Sequence, residues 1–92
     1  MASEPDYAAL AARAADVLHG NDLGPMTAAS SRLYPHQWSW DAAFVAIGLA
    51  SLSVERAVVE LDTLLSAQWA TGMIPHIVYA DRVAGYFPGP DR

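Results

Sequence analysis

The chain has no cysteine. That excludes a disulfide framework and a thiolate zinc site, and it fits a cytoplasmic protein. Basic residues are scarce, five against ten acidic ones, for a net charge of −5. No basic patch exists to hold a phosphate backbone, so nucleic acid is not an expected partner. The start of the chain carries Glu4 and Asp6 where a secretory signal needs a basic and then an apolar region, so no signal peptide is expected. The longest near-apolar run, Ala42 to Leu52, is too short to span a bilayer, and no membrane partner is expected. Low-complexity tracts are absent as well. What remains is globular in composition, 53% hydrophobic and 16% charged over 92 residues.

The apolar residues recur at helical spacing in three places, which predicts an all-α fold. Ser3-Glu4-Pro5-Asp6 reads as a helix start, with Ser3 as cap and two acids at the positive end of the dipole. Tyr7, Leu10, Ala11, Ala14, Val17 and Leu18 follow on one face, so an amphipathic helix is expected over about residues 4–19, closed by Gly20-Asn21. A second helix is expected over 40–51, with Ser39 as its cap. It shows no polar face and is therefore expected to be buried on all sides. A third, over 54–70, starts at a Ser53 cap and carries Ala57, Val58, Leu61, Leu64, Leu65 and Trp69 on its inner stripe. Trp69 accordingly reads as core. Helices one and three should run parallel, with helix two antiparallel between them.

Two long connections interrupt this pattern. Residues 20–39 hold Gly24-Pro25, Ser30-Ser31 and Tyr34-Pro35 and keep no period. Loops of that length are uncommon inside compact domains and are often functional. Residues 73–92 begin with an extended Ile74–Tyr79, since Pro75 forbids a helix, and continue into the turn-rich Gly85–Pro90. With the helices alternating in direction, both connections fall at the end where the second helix begins.

That end is chemically rich. Tyr34, His36, Gln37, Trp38, Trp40 and Asp41 gather within eight positions, directly before the apolar helix. Flat rings cover the apolar faces of a pyranose, and fixed carboxylates and amides bond its hydroxyls, so the combination suits a sugar site. Read alone, each residue has a plainer role. Asp41 is a dipole partner at a helix start, and His36 is a loop hydrogen-bonder. Trp38 and Trp40, two apart, point to opposite sides, so one of them can be core. His36 and His76, forty positions apart, are weak evidence for a metal site, and neither a metal nor a cofactor is expected.

Tyr34-Pro35-His36-Gln37-Trp38-Ser39-Trp40-Asp41 with Phe44, then Gln68-Trp69, Gly72, Ile74-Pro75-His76-Ile77 and Tyr86-Phe87-Pro88-Gly89-Pro90, resembles the start of the mannosylglycerate and glucosylglycerate hydrolases. These are family-63-type glycoside hydrolases with an (α/α)6 barrel. The resemblance implies that residues 1–92 are the N-terminal portion of that barrel, with about three helices and two long loops, the rest of the barrel missing. It implies that Tyr34, Trp38, Trp40 and Asp41 line the subsite for the non-reducing sugar, that His76 and Tyr86 approach the substrate from the second loop, and that Gln37 is a weaker candidate. Gly85–Pro90 would lie over the aglycone. The catalytic acid and base of the family lie downstream, so no catalytic residue is expected in this chain. The implied partner is a small glycoside. Trehalases and oligosaccharide α-glucosidases share the fold and are the nearest alternative; a small non-catalytic helical interaction module is the alternative of another class.

Overall fold

The computed structural model describes residues 4–80, so Ser3, Tyr86 and the Gly85–Pro90 loop lie outside the described residues. The element order is α1 (Tyr7–Gly20), β1 (Gln37–Trp38), α2 (Ser39–Ala50), α3 (Val54–Ser66) and β2 (Ile77–Val78). All three expected helices are present. β1 and β2 form one small antiparallel ladder, with Gln37 opposite Val78 and Trp38 opposite Ile77.

Helix starts follow local capping chemistry, with two corrections. The cap of α1 is Asp6, whose side chain accepts from the Ala9 N–H at 3.0 Å, so the helix begins later than expected. Ser39 does not cap α2. It is the first helical residue, and Trp38 occupies the cap position without a side-chain bond. Ser53 does cap α3, its hydroxyl accepting from Arg56 N–H at 3.2 Å. α3 ends at Ser66, short of Trp69. Trp69 is half exposed, not core. Gly72, at φ 96°, turns the chain back so that its N–H reaches the Trp69 carbonyl at 2.8 Å.

Packing explains why an apolar α2 is not buried on all sides. At about 100° per residue, Ala42, Ala46 and Leu49 share one face, and that face is buried, with α3 as the main neighbour. Trp40, Phe44 and Ile47 share the opposite face and stay 66%, 67% and 71% exposed. α3 has three faces. Ala57 and Leu64 are buried with α2, Glu60 and Thr63 meet the first long connection, and Val54, Val58, Leu61 and Leu65 are exposed. The expected inner stripe is thus rotated, because a loop claims one side of the helix. α1 buries no residue, and its Tyr7, Leu10 and Val17 are exposed. Its foothold on α2 is Leu18, whose Cδ1 lies 3.4 Å from where a Cβ on Gly48 would stand.

Among the described residues no helix is long and apolar enough to cross a membrane.

Candidate functional site

The first connection is not featureless. Asp22 Oδ1 accepts from Gly24 N–H at 2.7 Å, and Asp22 bridges back to Thr27, which folds the chain onto itself around Gly24 at φ 99°. This turn drives Met26, Thr27 and Ala28 into the interior. A second bridge, Ser30 to Tyr34, leads into His36 and Gln37, both fully buried.

There the connection meets a carboxylate. Glu60, on α3, is completely buried. Its Oε1 accepts from Thr27 N–H and Gln37 Nε2, each at 3.1 Å. Its Oε2 accepts from Thr27 Oγ1 at 3.0 Å and Arg56 Nη1 at 3.1 Å. Gln37 Nε2 also donates to the Glu60 backbone carbonyl at 2.9 Å. Four donors on one buried carboxylate compensate its lost hydration, the condition under which a buried charge is tolerated. Arg56 continues outward to Asp22, Nε to Oδ2 at 3.3 Å. Burial alone would raise the Asp22 pKa, but the bonds from Arg56 and Gly24 prevail and hold it below the usual value. The sequence reading put Glu60 outside the inner stripe. The available signal was its spacing, three after Ala57 and four before Leu64.

β1 continues directly into α2, and the second connection closes on it. Beyond the two paired residues, Ser39 N–H donates to the His76 carbonyl at 2.9 Å. The pairing therefore brings both long connections together at the start of α2, as the alternation of helices predicts. Tyr34, Trp38, His36 and Tyr79 form an aromatic cluster. Tyr34 meets Trp38 edge-on at 5.4 Å, Trp38 lies 5.9 Å from His36, and His36 lies 4.7 Å from Tyr79. Trp40 belongs to a separate edge-on pair with Phe44 at 6.2 Å. The two tryptophans thus serve different surfaces, Trp38 half-buried in the cluster and Trp40 exposed on the outer face of α2. Asp41 sits in the first turn of α2, half-buried, where the helix N-terminus favours its negative charge. Its carboxylate makes no hydrogen bond among the described residues.

His36 is more than a loop hydrogen-bonder. It is wholly enclosed, its Nδ1 accepts from Ala80 N–H at 3.0 Å, and burial holds its pKa below the ordinary value. An accepting Nδ1 fixes the neutral ring. Gln37, the weaker sugar candidate, gives both amide hydrogens to Glu60 and has no exposed surface, so its side chain serves the interior.

His76 is exposed and borders a shallow cavity of about 320 Å³ with Trp69, Met73, Pro75 and Tyr79. That cavity does not reach Tyr34, Trp38, Trp40 or Asp41. No group of three or more metal-ligating side chains converges among the described residues.

Residues 34–91 match the mannosylglycerate hydrolase MGH1-like glycoside hydrolase domain. The chain belongs to this family. It is similar to the glucosylglycerate hydrolase of Mycolicibacterium hassiacum, 80% identical over 83 residues, which are 90% of this chain and 19% of that protein. It is 47% identical over 91 residues, or 95% of this chain and 19% of that protein, to a mannosylglycerate hydrolase, MGH2, of Selaginella moellendorffii. A solved family-63 mannosylglycerate hydrolase of Thermus thermophilus, in complex with Tris, superposes with a TM-score of 0.82 at 44% identity, covering 89% of this chain and 20% of that one. The mostly helical architecture with its two-residue strands matches the N-terminal part of this glycoside hydrolase fold. The chain spans about a fifth of the length of these relatives.

Proposed function

We propose that residues 1–92 form the N-terminal part of one (α/α)6-barrel domain and supply a wall of the sugar pocket in a hydrolase of glucosylglycerate. The observation that carries the reading is the junction at the start of α2, where the β1–β2 ladder and the Ser39–His76 bond hold Trp38, Asp41 and His76 on adjoining backbone. Glucosylglycerate is preferred over mannosylglycerate because identity is 80% to a hydrolase of the former and 47% to one of the latter. We assign the complete enzyme to the cytoplasm, which suits a chain without cysteine.

In this reading the Asp41 carboxylate accepts bonds from sugar hydroxyls, the Tyr34 and Trp38 rings flank the pyranose, and Trp40 borders the subsite. His76 and Tyr86 approach from the second connection. The acid and base belong to other parts of the barrel. One protonates the leaving glycosidic oxygen while the other activates water on the opposite face of the ring, which inverts the anomeric centre. Asp41 holds the ring in register with that pair, a positioning effect that can be worth several kcal/mol.

The test is a hybrid enzyme in which this chain replaces the segment it matches in the M. hassiacum hydrolase. Hydrolysis of glucosylglycerate by the hybrid, with mannosylglycerate and trehalose cleaved more slowly, is expected. A folded hybrid without glucosylglycerate turnover contradicts the reading.

A further inference from the structure

We infer that Glu60 is a positioning residue for the sugar wall, acting through Gln37 on the Trp38–Asp41 segment. This rests on the reading of that segment as a sugar wall. Glu60 cannot itself reach a substrate, since it has no exposed surface and each carboxylate oxygen already accepts two hydrogen bonds. Its partners define its task. One amide, that of Gln37, gives both its hydrogens to this one residue. Gln37 in turn is the first residue of β1, and the chain then runs through Trp38 and Ser39 to Asp41 without any intervening loop. The backbone of this segment is tied on one side to β2 and to His76. The Gln37 side chain ties it on the other side to α3. The strand that leads into Trp38 and Asp41 is thus held by two independent anchors.

The charge on Glu60 is what makes the anchor specific. All four groups around its carboxylate are donors: a backbone N–H, an amide N–H, a hydroxyl and a guanidinium N–H. A glutamine there must turn its own NH₂ towards two of them. The Thr27 hydroxyl can rotate and accept instead, but the Arg56 guanidinium, the Thr27 backbone N–H and the Gln37 NH₂ cannot. Glu60→Gln thus keeps the shape and breaks the pattern of bonds. Thr27→Val removes one donor to Glu60 and one acceptor of Arg56 Nη2, at 3.2 Å, while the charge and volume stay. Asp22→Asn keeps an oxygen for the Gly24 N–H and the shape of that turn, and it otherwise touches the network at its solvent end, through Arg56.

The experiment uses the hybrid enzyme, active by itself as the reference, and reads kcat and KM for glucosylglycerate well below each variant's melting temperature. If the unsubstituted hybrid is inactive, the sugar-wall reading fails; the inference about Glu60 is decided by the variants against an active hybrid. Gln37→Met and Glu60→Gln are each expected to lower kcat/KM about tenfold or more in folded protein. Because both break one shared contact, the double variant is expected to lose no more than the worse single one. Asp22→Asn is expected to match the reference. Where Glu60→Gln does not fold, Gln37→Met and Thr27→Val carry the test, and Thr27→Val is expected to give a smaller loss of the same kind. Unchanged kcat/KM in folded Gln37→Met overturns the inference, as does a double variant whose losses multiply.

Discussion

Ser39 donates its backbone N–H to the carbonyl of His76 at 2.9 Å, across nearly forty residues of chain. Ser39 opens α2 and His76 lies one residue before β2, so this bond and the adjoining ladder turn two separate connections into one structural corner. Trp38, Asp41 and His76, all proposed to meet the sugar, stand at that corner or in the first turn of α2.

The apolar outer face of α2 has a consequence for the chain produced by itself. Trp40, Phe44 and Ile47 form a stripe that nothing among the described residues covers, and Val54, Val58, Leu61 and Leu65 form another on α3. The buried core is thin and rich in alanine, with Met26, Leu49 and Leu64 its larger members. The 92-residue chain expressed alone is expected to be molten or to associate through these stripes. Sedimentation and dye binding check this: concentration-dependent mass or strong binding of a hydrophobic dye is expected, and a monomer with a sharp, concentration-independent melt contradicts it.

Gly48 offers a stability test. A Cβ there meets only the flexible end of Leu18, at 3.4 Å, on the loosely packed α1. Gly48→Ala in the hybrid enzyme is expected to stabilise by about 0.5–1 kcal/mol, the helix-propensity gain, since Leu18 can shift to make room. Gly48→Leu is expected to destabilise by about 1–3 kcal/mol by forcing the helices apart. Chemical denaturation midpoints measure both.

The sequence carried much of this architecture and missed its polar centre, for identifiable reasons. α2 and α3 were legible because the short turn after Ala50 and the Ser53 cap separate an apolar helix from an amphipathic one. The end of α3 was not, because Gln68 and Trp69 continue its period while the turn at Gly72 needs them elsewhere. β1 is two residues long, too short for any alternation to register. Periodicity leaves Glu60 off the inner stripe of α3, because its four donors come from three separate stretches of chain, a convergence only the folded backbone creates. Of the candidate site residues, the structure brings Tyr34 and Trp38 into one cluster, leaves Trp40 on another face, and sets Asp41 in the first turn of α2.

His36 predicts a pH dependence. Its folded pKa lies below the ordinary value of 6.5, so the folded state binds a proton less readily than the unfolded chain. The stabilising effect of the neutral ring is therefore complete above about pH 6.5 and is lost as pH falls from there towards the folded pKa. The thermal midpoint of the hybrid is expected to drop over that window. His36→Leu, although less stable at pH 7, is expected to show a shallower drop. Equal slopes in the two proteins contradict a neutral, buried His36.

The most direct measurement is kcat/KM for glucosylglycerate against pH in the hybrid enzyme, with Asp41, Asp41→Asn and Asp41→Ala. If Asp41 holds sugar hydroxyls through charge-assisted bonds, Asp41→Asn costs about 1.5–3 kcal/mol, a fall in kcat/KM of roughly tenfold to a few hundredfold. Asp41→Ala costs more, because hydroxyls are then left unpaired in the pocket. Neither substitution is expected to move the limbs of the pH profile, since the proposed function puts the titrating acid and base elsewhere in the barrel. Loss of one limb in Asp41→Asn would make Asp41 the acid or the base, and wild-type kinetics in both variants would leave it a helix-terminus charge with no part in binding sugar. Either result contradicts the account.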